Sequence, residues 1–458
     1  MEVSPVRPVV VVVGAGAAGT LVALHVCDAA VRAGQPLDLV LVDPAPEAGR
    51  GTAYGSRDPR HLLNTPVGAM SCRPDDPGHF RRWLCRHDEQ VGDGDFVSRY
   101  RFGSYLGDTL GRAVIGARET VRVRRLRAEA VRCDWPDPAG RAALLLADGR
   151  LVHADRVVLA TGPAEGGGWI PQELREAPGF LARPWQTGAL DAVAAARDDV
   201  LLVGAGLTAV DLAMTLARPG RTVHAVSRTG LLPARHADVP LPPVPCPPGL
   251  TAERSPGRLR AAVARHLAGQ RRESGDWRPA MDGLRPVVSR VWQGLGAAEK
   301  AELMAHGMTR WNTLRHRMPP ATARTVQRLE ATGGLRRHTG RISSVSPLET
   351  GSFATVLADG ARLTTGWVVD CTGPGSETDA APGSLWRSLL DSGLAVPGPL
   401  GLGVATEEGR LLDEQGTASR ALHTLGAPRR GELWETTAIP EIRVQAAALA
   451  DALVVSYR

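Results

Sequence analysis

The run Pro8–Gly19, PVVVVVGAGAAG, constrains this chain more than any other stretch. Five consecutive valines are β-branched and apolar without alternation, which suits a strand buried on both faces in the middle of a parallel sheet. The apolar residues that follow, Leu21, Leu24, Cys27 and Val31, recur at helical spacing until Gly34 closes the run. Gly14, Gly16 and Gly19 therefore sit on the turn between a strand and a helix. In that context GxGxxG predicts a dinucleotide cradle. Gly14 makes the tight turn, Gly16 lets backbone approach a pyrophosphate, and Gly19 lets helix pack on strand. Ala17 and Ala18 open the helix, whose free N–H groups face the phosphates. A second strand, Leu37–Val42, ends at Asp43, 24 residues beyond Gly19, where an acid can accept hydrogen bonds from a ribose diol.

At 458 residues, with 43% hydrophobic and 22% charged, the chain has room for two or three globular domains. No apolar run reaches membrane-spanning length and the start lacks a signal-peptide pattern, so a soluble, cytoplasmic protein without a membrane role is expected. Six scattered cysteines form no CxxC and no zinc spacing. That excludes a CxxC disulfide reductase and points to no metal site. The net charge of +6 is spread along the chain, with no basic patch interleaved with aromatics, so nucleic-acid binding is not expected. Lys300 is the sole lysine, which disfavours Schiff-base chemistry.

After Asp43 a loop-rich segment runs through Gly49, Arg50, Gly51, Tyr54, Gly55, Asn64 and Met70. Loops this long inside a domain are usually functional. Arg50 is placed to meet a phosphate or the ribityl side, and Tyr54 and Met70 are candidate cofactor contacts. Residues 79–86 and 99–118 read as helices, and 120–134 and 142–162 as strands. The segments 145–163 and 356–374 match in length, in the position of an Asp-Gly turn and in a Thr-Gly-Pro ending. They predict two passages between domains, with Thr161, Gly162, Thr372 and Gly373 letting backbone pass close to a cofactor. A chance likeness of two hairpins is the alternative.

A second strand–glycine–helix start lies between these echoes: Val200–Val203, then Gly204-Ala205-Gly206-Leu207-Thr208-Ala209. The strand that follows ends at Ser227-Arg228 instead of an acid. Ser and Arg there can bind a 2′-phosphate, so the sequence predicts NADPH over NADH. Residues 233–248 read as a proline-rich linker and 252–329 as helical. Trp277, Trp292 and Trp311 in that stretch are read as packing residues ahead of ligand-stackers, and His316 as belonging to a solvated helix end ahead of a contact to an anionic substrate. Near the C-terminus a short strand, 422–425, ends at Gly426, and a helix begins near Pro440. Trp434 and Ile439 lie in the loop and helix start, where a helix N-terminus can face the pyrimidine end of a flavin.

Two dinucleotide fingerprints, two passages and a terminal glycine–helix resemble the two-dinucleotide-binding-domain flavoproteins. Within them the chain resembles bacterial FAD/NAD(P)-binding proteins of the YdhS type, through VVVGAGAAGTLVALH, GRGTAYG, HLLNTPVGAMSCRPDDPGHF, LLVGAGLTAVDLA, VSRTGLLPARH, DCTGPG and GELWETTAIPEIRVQAAALA. The wider resemblance is to class B flavin monooxygenases, including amino-acid N-hydroxylases. It implies an α/β fold with two Rossmann-like domains. FAD is expected on 1–165 plus 371–458 and NAD(P)H on 185–370, with a helical insertion over 245–335. It also carries onto Asn64 the family's role of holding NADP⁺ and the C4a-(hydro)peroxyflavin. A structural Asn that stabilises the loop is the competing reading. The FxGxxxHxxxW signature of Baeyer–Villiger enzymes is missing: Phe180 to Trp185 holds no histidine.

The sequence thus points to an FAD-dependent, NADPH-oxidising monooxygenase that transfers oxygen from dioxygen to an amine or amino acid. A pyridine-nucleotide-dependent flavin reductase or oxidase, and a flavin-bound sensor or scaffold, remain as alternatives. The substrate pocket is expected between the flavin, residues 233–330 and Leu433-Trp434-Glu435. The arginines of 233–330 suggest a carboxylate-bearing substrate. Neither the substrate's identity nor the oligomeric state is readable.

Overall fold

The computed structural model describes residues 7–87, 90–136 and 140–455. The valine run forms the strand Val9–Val13, with Val10, Val11 and Val12 fully buried. It sits inside a seven-stranded sheet, between Leu37–Val42 on one side and Arg156–Leu159 on the other, parallel to both. Val121–Leu126 extends the sheet in parallel beyond Leu37–Val42. Ala418–Thr424, from the far end of the chain, pairs in parallel with Arg156–Leu159 and carries the antiparallel edge strands Arg410–Leu412 and Thr406–Glu407.

Alternation along the strand sorts its side chains onto two faces. Val10 and Val12 pack with the helices Ala17–Ala33, Arg99–Gly116 and Ile439–Val455. Val11 and Val13 pack on the other face with Trp386, Leu389 and a three-stranded antiparallel sheet, Ala130–Asp134, Ala142–Leu146 and Leu151–Ala154. Both faces are covered, which is why the valines need no polar partner in the sequence.

The second unit repeats this plan. Val200–Val203 lies between Val223–Ser227 and Trp367–Asp370, with Leu335–Thr339 and Phe180–Leu181 at the edges, all parallel. Leu207–Leu216 and Pro320–Ala331 cover one face. A second antiparallel sheet, Ile342–Pro347, Phe353–Leu357 and Arg362–Thr365, covers the other through Phe353 and Leu357.

The echo in the sequence is this repeat. In each unit the last hairpin of the small sheet turns at a glycine of positive φ, Gly149 at 84° and Gly360 at 87°. Each then feeds the parallel strand beside its own fingerprint, Arg156–Leu159 or Trp367–Asp370. The two exits run side by side: Gly375 N donates to Ala164 O at 3.2 Å, and a Cβ on Gly166 would lie 2.1 Å from Gly373 O.

Between Leu250 and Arg315 the chain builds a helical body: Pro256–Ser274, Arg278–Gly283, Val288–Gln293, Ala297–His306 and Met308–Arg315. Ser255 caps the first helix, Pro256 fills its first turn, and Gly275 ends it in the left-handed conformation. The proline-rich segment runs along this body instead of hanging free. Ala234 N donates to Thr313 O at 2.8 Å and Val244 N to Pro279 O at 2.9 Å.

Candidate functional site

The two fingerprints close alike. Gly14 N donates to Val42 O and Gly204 N to Val226 O, each at 2.8 Å. Gly14 has φ 96° and Gly204 φ 116°, and a Cβ on either would lie 2.4 Å from a backbone oxygen, that of Ala160 or Cys371. Both turns therefore require glycine. Gly19 is tighter still, its Cβ position 1.8 Å from Gly14 O, because the helix crosses directly over the strand. The helices that follow begin at Gly16 and Gly206, with no side-chain cap and no acid in the first turn. Their first N–H groups are left for an anion. Ala17 and Ala18 are half-buried there, as are Leu207 and Thr208. Gly206 is exposed and a Cβ on it would meet nothing within 4 Å, whereas Gly16 faces Gly51 Cα at 3.4 Å.

The strand ends differ as their residues require. Asp43 Oδ2 accepts from Ala15 N at 2.5 Å and Oδ1 from Ala45 N at 2.7 Å. Each oxygen keeps lone-pair capacity for a ribose hydroxyl. At the second cradle Ser227 Oγ accepts from Gly230 N at 3.0 Å. Arg228 is exposed and makes no side-chain hydrogen bond or ion pair among the described residues.

Several expected cofactor contacts also have partners within the protein. The Arg50 guanidinium is turned to Glu47 and lies over the Tyr100 ring at 3.9 Å, while its neighbour Gly49 donates to Ala15 O at 2.9 Å in the first cradle. Tyr54 packs on Phe102 with ring centroids 4.9 Å apart, and burial raises its phenol pKa. Met70 is a core residue, 3% exposed. Thr161 accepts a hydrogen bond from Trp386 Nε1 at 3.0 Å, and Gly162 has φ 76°. Gly373 is exposed with φ 95°, and Thr372 turns its hydroxyl back onto Asp370. That second passage abuts Gly204 through Cys371, so it flanks the second fingerprint, not the first.

Asn64 is half-buried in the loop between the two units, and its carboxamide has no partner among the described residues. Its backbone oxygen accepts from His236 Nε2 at 2.9 Å. Burial, then the Arg317 charge, push the His236 pKa down to about 4, so the ring is neutral at pH 7. The other end of the loop is held by the terminal helix, whose Arg443 donates to Ser71 O at 2.9 Å. A buried polar joint anchors the loop's start to Leu207–Leu216. Thr215 Oγ1 donates to Asp58 Oδ2 at 2.8 Å, so His61 Nε2 must carry the hydrogen it shares with Thr215 at 2.8 Å, and His61 Nδ1 accepts from Ser56. Arg99 stands 2.7 Å from Asp211 in the same joint, where burial raises the Asp211 carboxyl against the pull of that arginine. The Asn64 loop is thus tied to both nucleotide-binding halves.

The C-terminal segment is clamped as firmly. Gly426, buried with φ 73°, donates to Gln445 Oε1 at 3.0 Å, and its oxygen accepts from Thr436. Ile439, 2% exposed, opens the last helix with Pro440 second. Arg315 holds Glu435 by a two-pronged pair at 2.8 Å, and Arg285 holds Glu441 at 2.6 and 2.8 Å. Trp434 packs on Trp292 at 4.8 Å, and Trp292 Nε1 donates to Gly431 O at 2.8 Å. His316 is enclosed beside Arg315, not at a solvated helix end, and burial lowers its pKa. The wall expected to be arginine-rich is mostly apolar, with Arg260, Arg271 and Arg310 among its lining residues and Arg285 and Arg315 held in these clamps. Among the described residues no three His, Cys, Asp or Glu side chains are grouped to hold a metal, and no helix is long and apolar enough to cross a membrane.

Residues 11–164 match the FAD-NAD(P)-binding family. No protein of curated function matches the chain. Three solved structures are similar over nearly its whole length. The ornithine N-hydroxylase of Kutzneria sp. 744, determined with reduced FAD, NADP⁺ and L-ornithine, is 14% identical, with 99% of this chain and 100% of that one covered and a TM-score of 0.64. The L-lysine 6-monooxygenase of Pseudomonas syringae is 16% identical (98% and 99% covered, TM-score 0.62). The FAD-bound cadaverine monooxygenase of Erwinia amylovora is 14% identical (98% and 94% covered, TM-score 0.60). The fold is that of the N-hydroxylating flavin monooxygenases. At these identities the likeness concerns the fold and does not confirm the YdhS-type resemblance.

Proposed function

We propose that this chain is an FAD-dependent, NADPH-oxidising monooxygenase that hydroxylates the nitrogen of a small amine. The observation that carries the reading is a pair of uncapped glycine cradles with opposite strand-end chemistry, Asp43 on one and Ser227-Arg228 on the other. The first suits FAD, with its pyrophosphate at Gly14–Gly19 and its adenosine ribose at Asp43. The second suits NADPH, with its pyrophosphate at Gly204–Thr208 and its 2′-phosphate at Arg228. Bound FAD would supply hydride acceptance and oxygen activation. The protein's own part is to bind, orient and exclude water. The free carboxamide of Asn64, held where the loop meets both halves, offers a donor and an acceptor to a nicotinamide or an oxygenated cofactor. Three solved structures of the same fold are named as an ornithine N-hydroxylase, an L-lysine 6-monooxygenase and a cadaverine monooxygenase, which supports an amine as the oxygen acceptor.

The test measures NADPH consumption by FAD-loaded protein against a panel of amines and amino acids, with hydroxylamine product and peroxide measured alongside. Product formed in step with NADPH supports the reading. Turnover in which every equivalent of NADPH appears as peroxide, whatever the amine, refutes it in favour of an oxidase. Replacing Asn64 by Ala is expected to leave flavin reduction intact and shift the products toward peroxide.

A further inference from the structure

The helical body between Leu250 and Arg315 lines a half-open cavity of about 580 Å³ to which neither glycine cradle contributes a residue. Its volume falls within the range of about 300–1,000 Å³ usual for small-molecule sites. The wall is almost wholly aliphatic and aromatic, with four tryptophans, Trp277, Trp292, Trp311 and Trp434. Trp434 alone comes from outside the body, from the loop that precedes the last helix. The hydrophobic cluster around this space is incomplete: five of its residues are buried, while eleven others packed against them, Val263, Leu267, Val288 and Trp311 among them, remain partly exposed. A helical body of this size normally closes its apolar faces on each other.

The polar groups at the cavity share one sign. Arg260, Arg271, His306 and Arg310 line it, and no aspartate or glutamate does. Arg260 is paired with Glu302 at 3.1 Å. Arg271 and Arg310 are exposed and have no ion-pair partner among the described residues. The Trp311 indole N–H, next in the chain to Arg310, is buried without an acceptor. An apolar space with cationic donors at its margin and one orphaned donor in its wall matches a hydrocarbon chain that ends in an anionic oxygen group.

We propose that this cavity binds an amphiphile with a single hydrocarbon chain and an anionic head. The chain lies among Val263, Leu267, Val288 and the tryptophans, and the head meets Arg271, Arg310 and the Trp311 N–H. Its test requires no turnover.

The experiment is calorimetric titration of the FAD-loaded full-length protein with dodecanoate and, separately, dodecylamine. One-to-one binding of dodecanoate, at least about tenfold tighter than dodecylamine, is expected. Val263→Trp, which fills the cavity, is expected to abolish binding. The double variant Arg271→Glu/Arg310→Glu changes only exposed groups, so the fold is retained, and it is expected to weaken dodecanoate about tenfold while improving dodecylamine. Equal affinity for the two probes, absence of saturable dodecanoate binding, or undiminished binding in Val263→Trp overturns the assignment. So does light scattering that shows a second copy of the chain covering the cavity in a dimer that dodecanoate fails to compete with.

Discussion

The sharpest consequence of the second cradle concerns two glycines that the fingerprint treats alike and the structure does not. Gly204 has φ 116° and its Cβ position lies 2.4 Å from the Cys371 carbonyl oxygen. Gly206 has φ −80° and its Cβ position meets no protein atom within 4 Å. For Gly206→Ala, reduced freedom of the unfolded chain stabilises by about 0.4–1 kcal/mol, and the poorer helix cap costs a similar amount, about 0.5–1 kcal/mol. The two nearly cancel, so the variant is expected to keep its thermal midpoint and its FAD content. The added methyl group would instead stand where the NADPH pyrophosphate approaches the helix. Losing one N–H contact to a charged oxygen there costs about 1.5–3 kcal/mol, which is about a ten- to hundredfold weaker Kd. Gly204→Ala should behave oppositely. Its backbone strain alone costs about 1–3 kcal/mol, the clash adds more, and the protein should lose stability before any question of binding arises. The assay is anaerobic flavin reduction by stopped flow over a range of NADPH concentrations, with FAD content and thermal midpoint measured on the same samples. An unchanged NADPH Kd in folded, FAD-replete Gly206→Ala would refute the placement of the pyrophosphate. A fall in FAD content would reassign the cradle.

Three further outcomes are expected. Arg228→Ala should weaken NADPH about tenfold or more and leave NADH nearly unchanged, with stability within about 0.5 kcal/mol because the side chain is exposed and unpaired. Comparing flavin reduction by the two nucleotides checks this, and equal losses would remove the 2′-phosphate assignment. Glu435→Gln should destabilise by about 3–5 kcal/mol in urea unfolding, since it strands a buried Arg315, whereas Arg315→Met combined with Glu435→Leu should recover much of the loss. For pH, His236 and His423 have folded-state pKa values near 4, both lowered chiefly by burial, against an ordinary value of 6.5. The unfolded chain takes up these protons first, so their contribution is complete above pH 6.5 and is lost as pH falls toward 4. Urea midpoints at pH 7.5, 6 and 5 should decline in that order, less steeply in His423→Gln, and a flat profile would contradict the burial of these rings.

The features legible in the chain were those written in neighbouring residues. Val9–Val13 and Val200–Val203 declare strands buried on both faces, and the glycines after them declare their turns, because backbone sterics act over a few residues. Asp43 and Arg228 could be located by counting along the chain from those glycines. The matching hairpins at 145–163 and 356–374 likewise marked a real repeat, since both turns need the same positive-φ glycine. The surroundings of Arg50, Tyr54 and Met70 were not legible in the same way. Tyr100, Phe102 and the hydrophobic core compete for them, and those competitors lie tens of residues away.

What only the tertiary structure decided is how distant segments meet. His236 reaches Asn64 across 172 residues, Arg315 reaches Glu435 across 120, and Arg443 reaches Ser71 across 372. No local pattern distinguishes these arginines from the many others, because a side chain's partner depends on which helices pack together. The cavity is a clearer case still. Its leucines, valines and tryptophans read in sequence as the core of a helical body, and composition cannot separate a filled core from one built around a space. The run from Pro8 to Gly19 thus determined by itself the strand, the turn and the kind of ligand its backbone can approach. Packing decided which side chains remain free to use them.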